Sequence, residues 1–153
     1  MKKSMFYIFI ICFVTILVLF IFNDNIDYWE VIGVSDNGLY DTLVSKKGKP
    51  KDIEYVDGDV YVVYDGVKFC YLNKELRGSF IRAEIYTDKY VFGKRNISIG
   101  TDKKTIVSYY KNKKGITDLP NNELAYICNS DTIIWFEFDE NERVDKIILT
   151  WEM

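Results

Sequence analysis

Apolar positions fall in three rhythms along the chain, and each predicts a different kind of element. From Met5 to Phe22 the residues are apolar apart from Thr15. At about 1.5 Å per residue this run approaches the hydrocarbon thickness of a bilayer, so it predicts a transmembrane helix. Farther along, the period is two. In "IRAEI", Ile81, Ala83 and Ile85 share one face while Arg82, Glu84 and the following Tyr86 share the other. "KIILTWE" sets Ile147, Leu149 and Trp151 against Lys146, Ile148, Thr150 and Glu152, and "IIWFEF" puts Trp135 with Glu137, opposite Ile134, Phe136 and Phe138. "VYVVYDGVKFCYL" holds Asp65 and Gly66 between two β-rich runs and predicts a hairpin; "TIIWFEFDENERVDKIILTW" predicts another, turning near Asp139 to Glu142. "YWEVIGV", from Tyr28, reads as a first strand.

The third rhythm is helical. Leu39, Tyr40, Leu43 and Val44 fall on one face of a short helix that Ser35 or Asp36 can cap, and Ile106, Val107 and Tyr110 mark a second that Thr101 can cap. "SKKGKP" after the first helix is a stop signal: Lys46 and Lys47 favour the negative end of the dipole, Gly48 suits left-handed geometry, and Pro50 forbids continuation. A phosphate-gripping loop would need its glycines and lysine to lead into a helix, and "GVSDNG" runs instead into Leu39 and Tyr40.

These elements recur in order. Leu43 and Val44 align with Ile106 and Val107 at an offset of 63, and Asp65 and Ile81 align with Asp131 and Ile147 at an offset of 66. "IGVSDNGLYDTLVSKKGKP" and "ISIGTDKKTIVSYYKNKKG", with the hairpins and the closing "FEFDENERVDKIIL" strand, resemble the repeat of small envelope lipoproteins of the SmpA/OmlA (BamE) type and of the tandem beta-lactamase-inhibitor-protein fold. That resemblance, over about residues 30 to 152, implies helices followed by antiparallel strands, doubled, with an open sheet face used for protein contacts. The second copy lacks a proline after its glycine, and the lipid-modified cysteine of the lipoproteins has no counterpart.

The expected architecture is therefore α+β: a transmembrane helix, then two tandem helix-plus-antiparallel-hairpin repeats. Residues 1–4 would be a cytoplasmic tip, 5–22 a signal anchor, 28–90 the first extracytoplasmic repeat and 96–153 the second. Lys2 and Lys3 before the span place the N-terminus inside by the positive-inside rule, and "VLFIFNDN" lacks the small residues of a cleavage site. The chain is thus expected to be a single-pass plasma-membrane protein with its C-terminal domain outside.

Charge and composition narrow the chemistry. The net charge of -3 becomes -5 without Lys2 and Lys3, which disfavours nucleic acid as a partner. Histidine is absent, so Ser/His and Cys/His nucleophile arrangements and a histidine base are excluded. The acids at 139 to 142, and Asp57 and Asp59 beside Gly58, sit where turns put solvated carboxylates, and no metal or cofactor motif occurs. Cys70 and Cys128 read as two strand cysteines or as a disulfide pair. Trp135 is either an aromatic on the open sheet face or packing between the repeats. The expected function is a membrane-anchored, non-catalytic binding or inhibitory module for another envelope or secreted protein, contacting it through Trp135, Arg82, Glu84 and Tyr86. The alternative is an envelope ligand sensor or hydrolase with an acidic cleft, which requires carboxylates converging in a pocket.

Overall fold

The computed structural model describes residues 27–34, 38–72, 76, 78–116, 119, 122–128 and 132–151. Three short helices, α1 (Tyr28–Val31), α2 (Tyr40–Lys47) and α3 (Lys103–Tyr110), accompany eight strands. The strands are β1 (Asp52–Val56), β2 (Asp59–Tyr64), β3 (Val67–Tyr71), β4 (Arg82–Ile85), β5 (Lys114–Ile116), β6 (Glu123–Ile127), β7 (Thr132–Phe138) and β8 (Val144–Trp151). They form one antiparallel sheet in the order β1-β2-β3-β4-β8-β7-β6-β5.

This corrects the expected fold class. Leu43 and Ile106, aligned at the offset of 63, are indeed buried residues of two eight-residue helices. Each of these helices, however, leads into four strands of a common sheet and not into a separate helix-plus-hairpin unit. β4 pairs with β8 from Arg82 opposite Thr150 to Ile85 opposite Ile147. The physical reason is the cost of edges: a separate half ending in β4 or β8 would expose a row of unpaired amides and carbonyls, and pairing the two strands removes both rows at once.

The single-pass membrane expectation is corrected as well. No helix among the described residues is long and apolar enough to cross a membrane. The longest have eight residues, or about 12 Å, whereas a span takes about 20 residues. The run 5–22 on which the signal anchor rested lies outside the described residues. Membrane and signal-anchor assignments thus find no support in the fold.

Alternation along the strands decides which face is inside. Val60, Val62, Phe69, Tyr71, Ala83, Ile85, Ile134, Phe136, Ile147 and Leu149 all point to one side, and all are buried. Helix residues close over that side: Tyr110 stacks on Tyr126 at 4.8 Å, and Tyr40 meets Tyr71 edge-on at 6.3 Å. α1 corrects a further expectation, because Tyr28–Val31 is a helical turn and not a strand. Asp27 Oδ1 accepts hydrogen bonds from the amides of Trp29 and Glu30, and this cap turns the chain before an alternating pattern can pair. The turn then ties the two halves of the sheet. Trp29 stacks on Trp151 at 4.1 Å and leans on Phe80 at 5.3 Å, its Nε1 donates to Thr132 Oγ1 at 3.2 Å, and the Tyr28 and Tyr110 hydroxyls meet at 3.2 Å.

The expected caps shift slightly. The cap of α3 is Asp102, accepting from the Lys104 amide, while Thr101 Oγ1 accepts from the Ser98 amide. Leu39 precedes α2 as its N-cap and makes no side-chain capping bond; Ser35 and Asp36 lie outside the described residues. Gly48 ends α2 at φ +80°, its amide donating to the Val44 carbonyl.

Candidate functional site

Because all three helices pack on one side, the other side of the sheet has no helix over it among the described residues. Seven interstrand spacings make this face about 34 Å wide. Register places on it Tyr61 and Val63 from β2, Lys68 and Cys70 from β3, Arg82 and Glu84 from β4, Lys146, Ile148 and Thr150 from β8, and Trp135 and Glu137 from β7. Trp135, Arg82 and Glu84 therefore share one face as the alternation predicted, with Ile148 between the tryptophan and the glutamate.

The centre of the face is a four-residue polar network. Glu84 is only 8% exposed, and it receives the Tyr86 hydroxyl on Oε2. Its Oε1 lies 3.0 Å from Arg82 Nε, close enough for an ion pair but off the line of an N–H···O hydrogen bond, so the attraction there is chiefly electrostatic. On its other side Arg82 donates through Nη2 to the Tyr61 hydroxyl, with the guanidinium carbon 5.6 Å from the Tyr61 ring centre. Burial pushes the Tyr86 phenol up, and its bond to the Glu84 carboxylate pushes it further. Burial opposes the Arg82 charge, but Glu84, Tyr61 and Cys70 together outweigh it and hold the guanidinium above its usual range.

Around this network lie apolar side chains and two ion pairs. Lys68 pairs with Glu54 at 2.7 Å and Lys146 with Glu137 at 2.5 Å. Trp135 is half-buried and donates from Nε1 to Thr150 Oγ1 at 3.4 Å; Val63, Ile133 and Ile148 are half-buried on the same side. Such a surface offers shape, one aromatic plane and a fixed hydrogen-bonding centre. Sequence reasoning missed Tyr61. Half of the signal was local, because the Asp65-Gly66 hairpin sets Tyr61 opposite Cys70; the pairing of β3 with β4 then sets Cys70 opposite Arg82.

The other candidates separate from this face. Cys70 and Cys128 are free and buried, four strand spacings or about 19 Å apart, which rules out a bond between them in this fold. Burial pushes both thiols up, which favours the protonated thiol over the thiolate. Asp139 Oδ1 accepts from the amides of Asn141 and Arg143, making the 139 to 142 acids part of a turn. No group of three metal-ligating side chains occurs among the described residues. Lys47, in the stop signal, extends its Nζ over the rings of Tyr64, Phe69 and Tyr90 at 5.6 to 5.9 Å. Burial and the nearby Lys89 pull its pKa down.

No family model and no curated protein matches the chain. Among solved structures, an extracellular protein containing an SCP domain from Bacillus anthracis str. Ames is similar with a TM-score of 0.54 at 14% identity, over 74% of this chain. The chain spans 43% of that protein's length. A DUF4309 family protein from Bacillus subtilis subsp. subtilis str. 168 is similar more loosely, with a TM-score of 0.48 at 11% identity over 74% of this chain and 78% of its own. The first likeness bears on the fold alone. Neither structure is an SmpA/OmlA or inhibitor-protein repeat.

Proposed function

We propose that the protein is a binding module without a catalytic apparatus, which holds a protein partner against the open face of its sheet. Trp135 would be the aromatic anchor, and Tyr86, Glu84 and Arg82 a rigid polar centre beside it. One observation carries this reading: a broad sheet face with no helix over it among the described residues, whose central polar side chains are already fixed by one another. Groups pre-ordered in this way lose little rotamer entropy when a partner docks, and an aromatic–Arg cluster is the usual composition of an interface hot spot. The partner would present an apolar centre, because Lys68 and Lys146 are already paired with Glu54 and Glu137 within the face. The competing hydrolase would need two carboxylates converging in one cleft, whereas the acids at 139 to 142 belong to a turn in which Asp139 Oδ1 accepts from the Asn141 and Arg143 amides.

The test is site-specific photocrosslinking in the full chain, expressed in its own cellular setting. A photoreactive residue replacing Trp135 should give one discrete protein adduct, and the same residue at the exposed Val107 on α3 should give none. Arg82→Ala should abolish the adduct. Equal adducts at both positions, or none at either, would overturn the proposal.

A further inference from the structure

We infer that β1 is a self-pairing edge, through which two copies of this chain join antiparallel with Tyr55 facing Tyr55 across a two-fold axis. This surface is the sheet margin, separate from the open face, and the inference stands without the function proposed above.

The two margins of the sheet are built differently. β5 has three residues, with Lys114 and Gly115 exposed within it, and short, lysine- or glycine-bearing edges resist further pairing. β1 has five residues and neither proline, glycine, lysine nor a register break. It also carries two large exposed apolar side chains, Tyr55 at 64% and Val56 at 46%. Among the described residues no strand lies beyond it. One edge is blunted and the other is left open.

Backbone direction selects the register. The two-residue loop of Asp57 and Gly58 makes Val56 and Asp59 a hydrogen-bonded pair, so Val56 and Glu54 turn their backbone groups toward β2, and Tyr55 and Ile53 turn theirs outward. Asp52 Oδ1 already accepts from the Ile53 amide at 2.8 Å, which leaves Tyr55 as the outward group to be satisfied by a new strand. Three antiparallel two-fold registers pair three or more residues of β1 with those of the second copy. Centring on Ile53 sets Asp52 against Glu54 of the second copy, and centring on Glu54 sets two glutamates directly opposite; like charges so placed repel. Centring on Tyr55 sets Glu54 against Val56, and the two tyrosines exchange both backbone hydrogen bonds while their rings lie side by side. An aromatic cross-strand pair is a favourable one, so charge and backbone agree on a single register, and the product is a continuous sixteen-stranded sheet.

Cysteine substitution reads this register in the intact chain, since Cys70 and Cys128 are buried. In the Tyr55-centred pair the Cα atoms of residue 55 in the two copies lie about 5.5 Å apart, within disulfide reach, whereas those of residue 54 are displaced by two residues and lie beyond about 7 Å. Under mild oxidation, full-length Tyr55→Cys should give a covalent dimer on a non-reducing gel, and Glu54→Cys and Val107→Cys should stay monomeric. Adding Val56→Glu to Tyr55→Cys, which opposes it to Glu54, should remove the dimer band. All four positions are at least partly exposed, and an unchanged thermal melt confirms folding of each variant. Absence of the dimer with Tyr55→Cys, equal dimer from Val107→Cys, or stronger dimer from Glu54→Cys would each overturn the inference, the last in favour of another register.

Discussion

Arg82→Met removes the cation from the network at the middle of the open face while keeping most of the side chain's bulk. The Glu84 carboxylate then stays 8% exposed with the Tyr86 hydroxyl as its remaining partner. Stripping one partner from a fully buried pair costs about 3–5 kcal/mol. Here the arginine side chain is 36% exposed and the glutamate 10%, so solvent screens part of the loss and about 2 kcal/mol is expected. Glu84→Gln keeps the shape and a polar tip, and should cost about 1 kcal/mol. The double variant leaves neither charge stranded, so its cost should fall short of the sum by about 1 kcal/mol or more. Urea unfolding of the four proteins, followed by tryptophan fluorescence at unchanged m-value, measures these terms. Additivity within about 0.3 kcal/mol would show that the two groups do not share the environment described and would refute the reasoning.

The same geometry has other consequences. Gly66 sits at φ +75°, and a Cβ there would lie 2.2 Å from Thr87 Cγ2 and 2.6 Å from Thr87 Cβ, so Gly66→Ala should destabilise by about 2–4 kcal/mol from strain plus overlap. In a Thr87→Gly background the same change should cost about 1–2 kcal/mol, the strain alone; an equal cost in both backgrounds would deny the contact. Trp29→Ala, which unstacks Trp151 and removes the indole donor to Thr132, should lower stability by about 3–5 kcal/mol in thermal or urea unfolding, and a loss under about 1 kcal/mol would contradict the role given to α1. Burial pushes the phenols of Tyr28, Tyr71, Tyr86 and Tyr110 up. The unfolded chain therefore ionises first: stability is fully present below about pH 10 and falls above it, by about 1.4 kcal/mol per pH unit for each such group. Ionisation of all twelve tyrosines near pH 10 before unfolding would contradict that burial.

How much of a fold the sequence shows depends on the range of the interactions involved. The period-two runs are local, so the faces of "IRAEI", "IIWFEF" and "KIILTWE" and the Asp65-Gly66 hairpin are legible without any knowledge of the fold. Pairing of Arg82–Ile85 with 147–150 is not: it joins segments some 65 residues apart, and no residue type marks one strand as the neighbour of another. That long-range link makes one sheet of what the local pattern presents as two repeats. At Tyr28–Val31 a strand-like pattern lost to a local cap, since Asp27 holds the first two amides of the turn. The candidate face was legible residue by residue, through Trp135, Arg82, Glu84 and Tyr86, but its fourth network member, Tyr61, enters only when three strands are laid side by side.

The central claim is that the uncovered sheet face captures a protein by a pre-ordered aromatic and polar patch. Titration of the crosslinked partner, once isolated, against the wild-type chain and Trp135→Ala tests it most directly. The account predicts at least a tenfold loss of affinity for Trp135→Ala, corresponding to about 1.4 kcal/mol or more, with wild-type affinity changing little between low and physiological salt because Lys68, Arg82 and Lys146 around the anchor are each paired with a carboxylate of the face. Unchanged affinity for Trp135→Ala, or binding that collapses with salt, would contradict it.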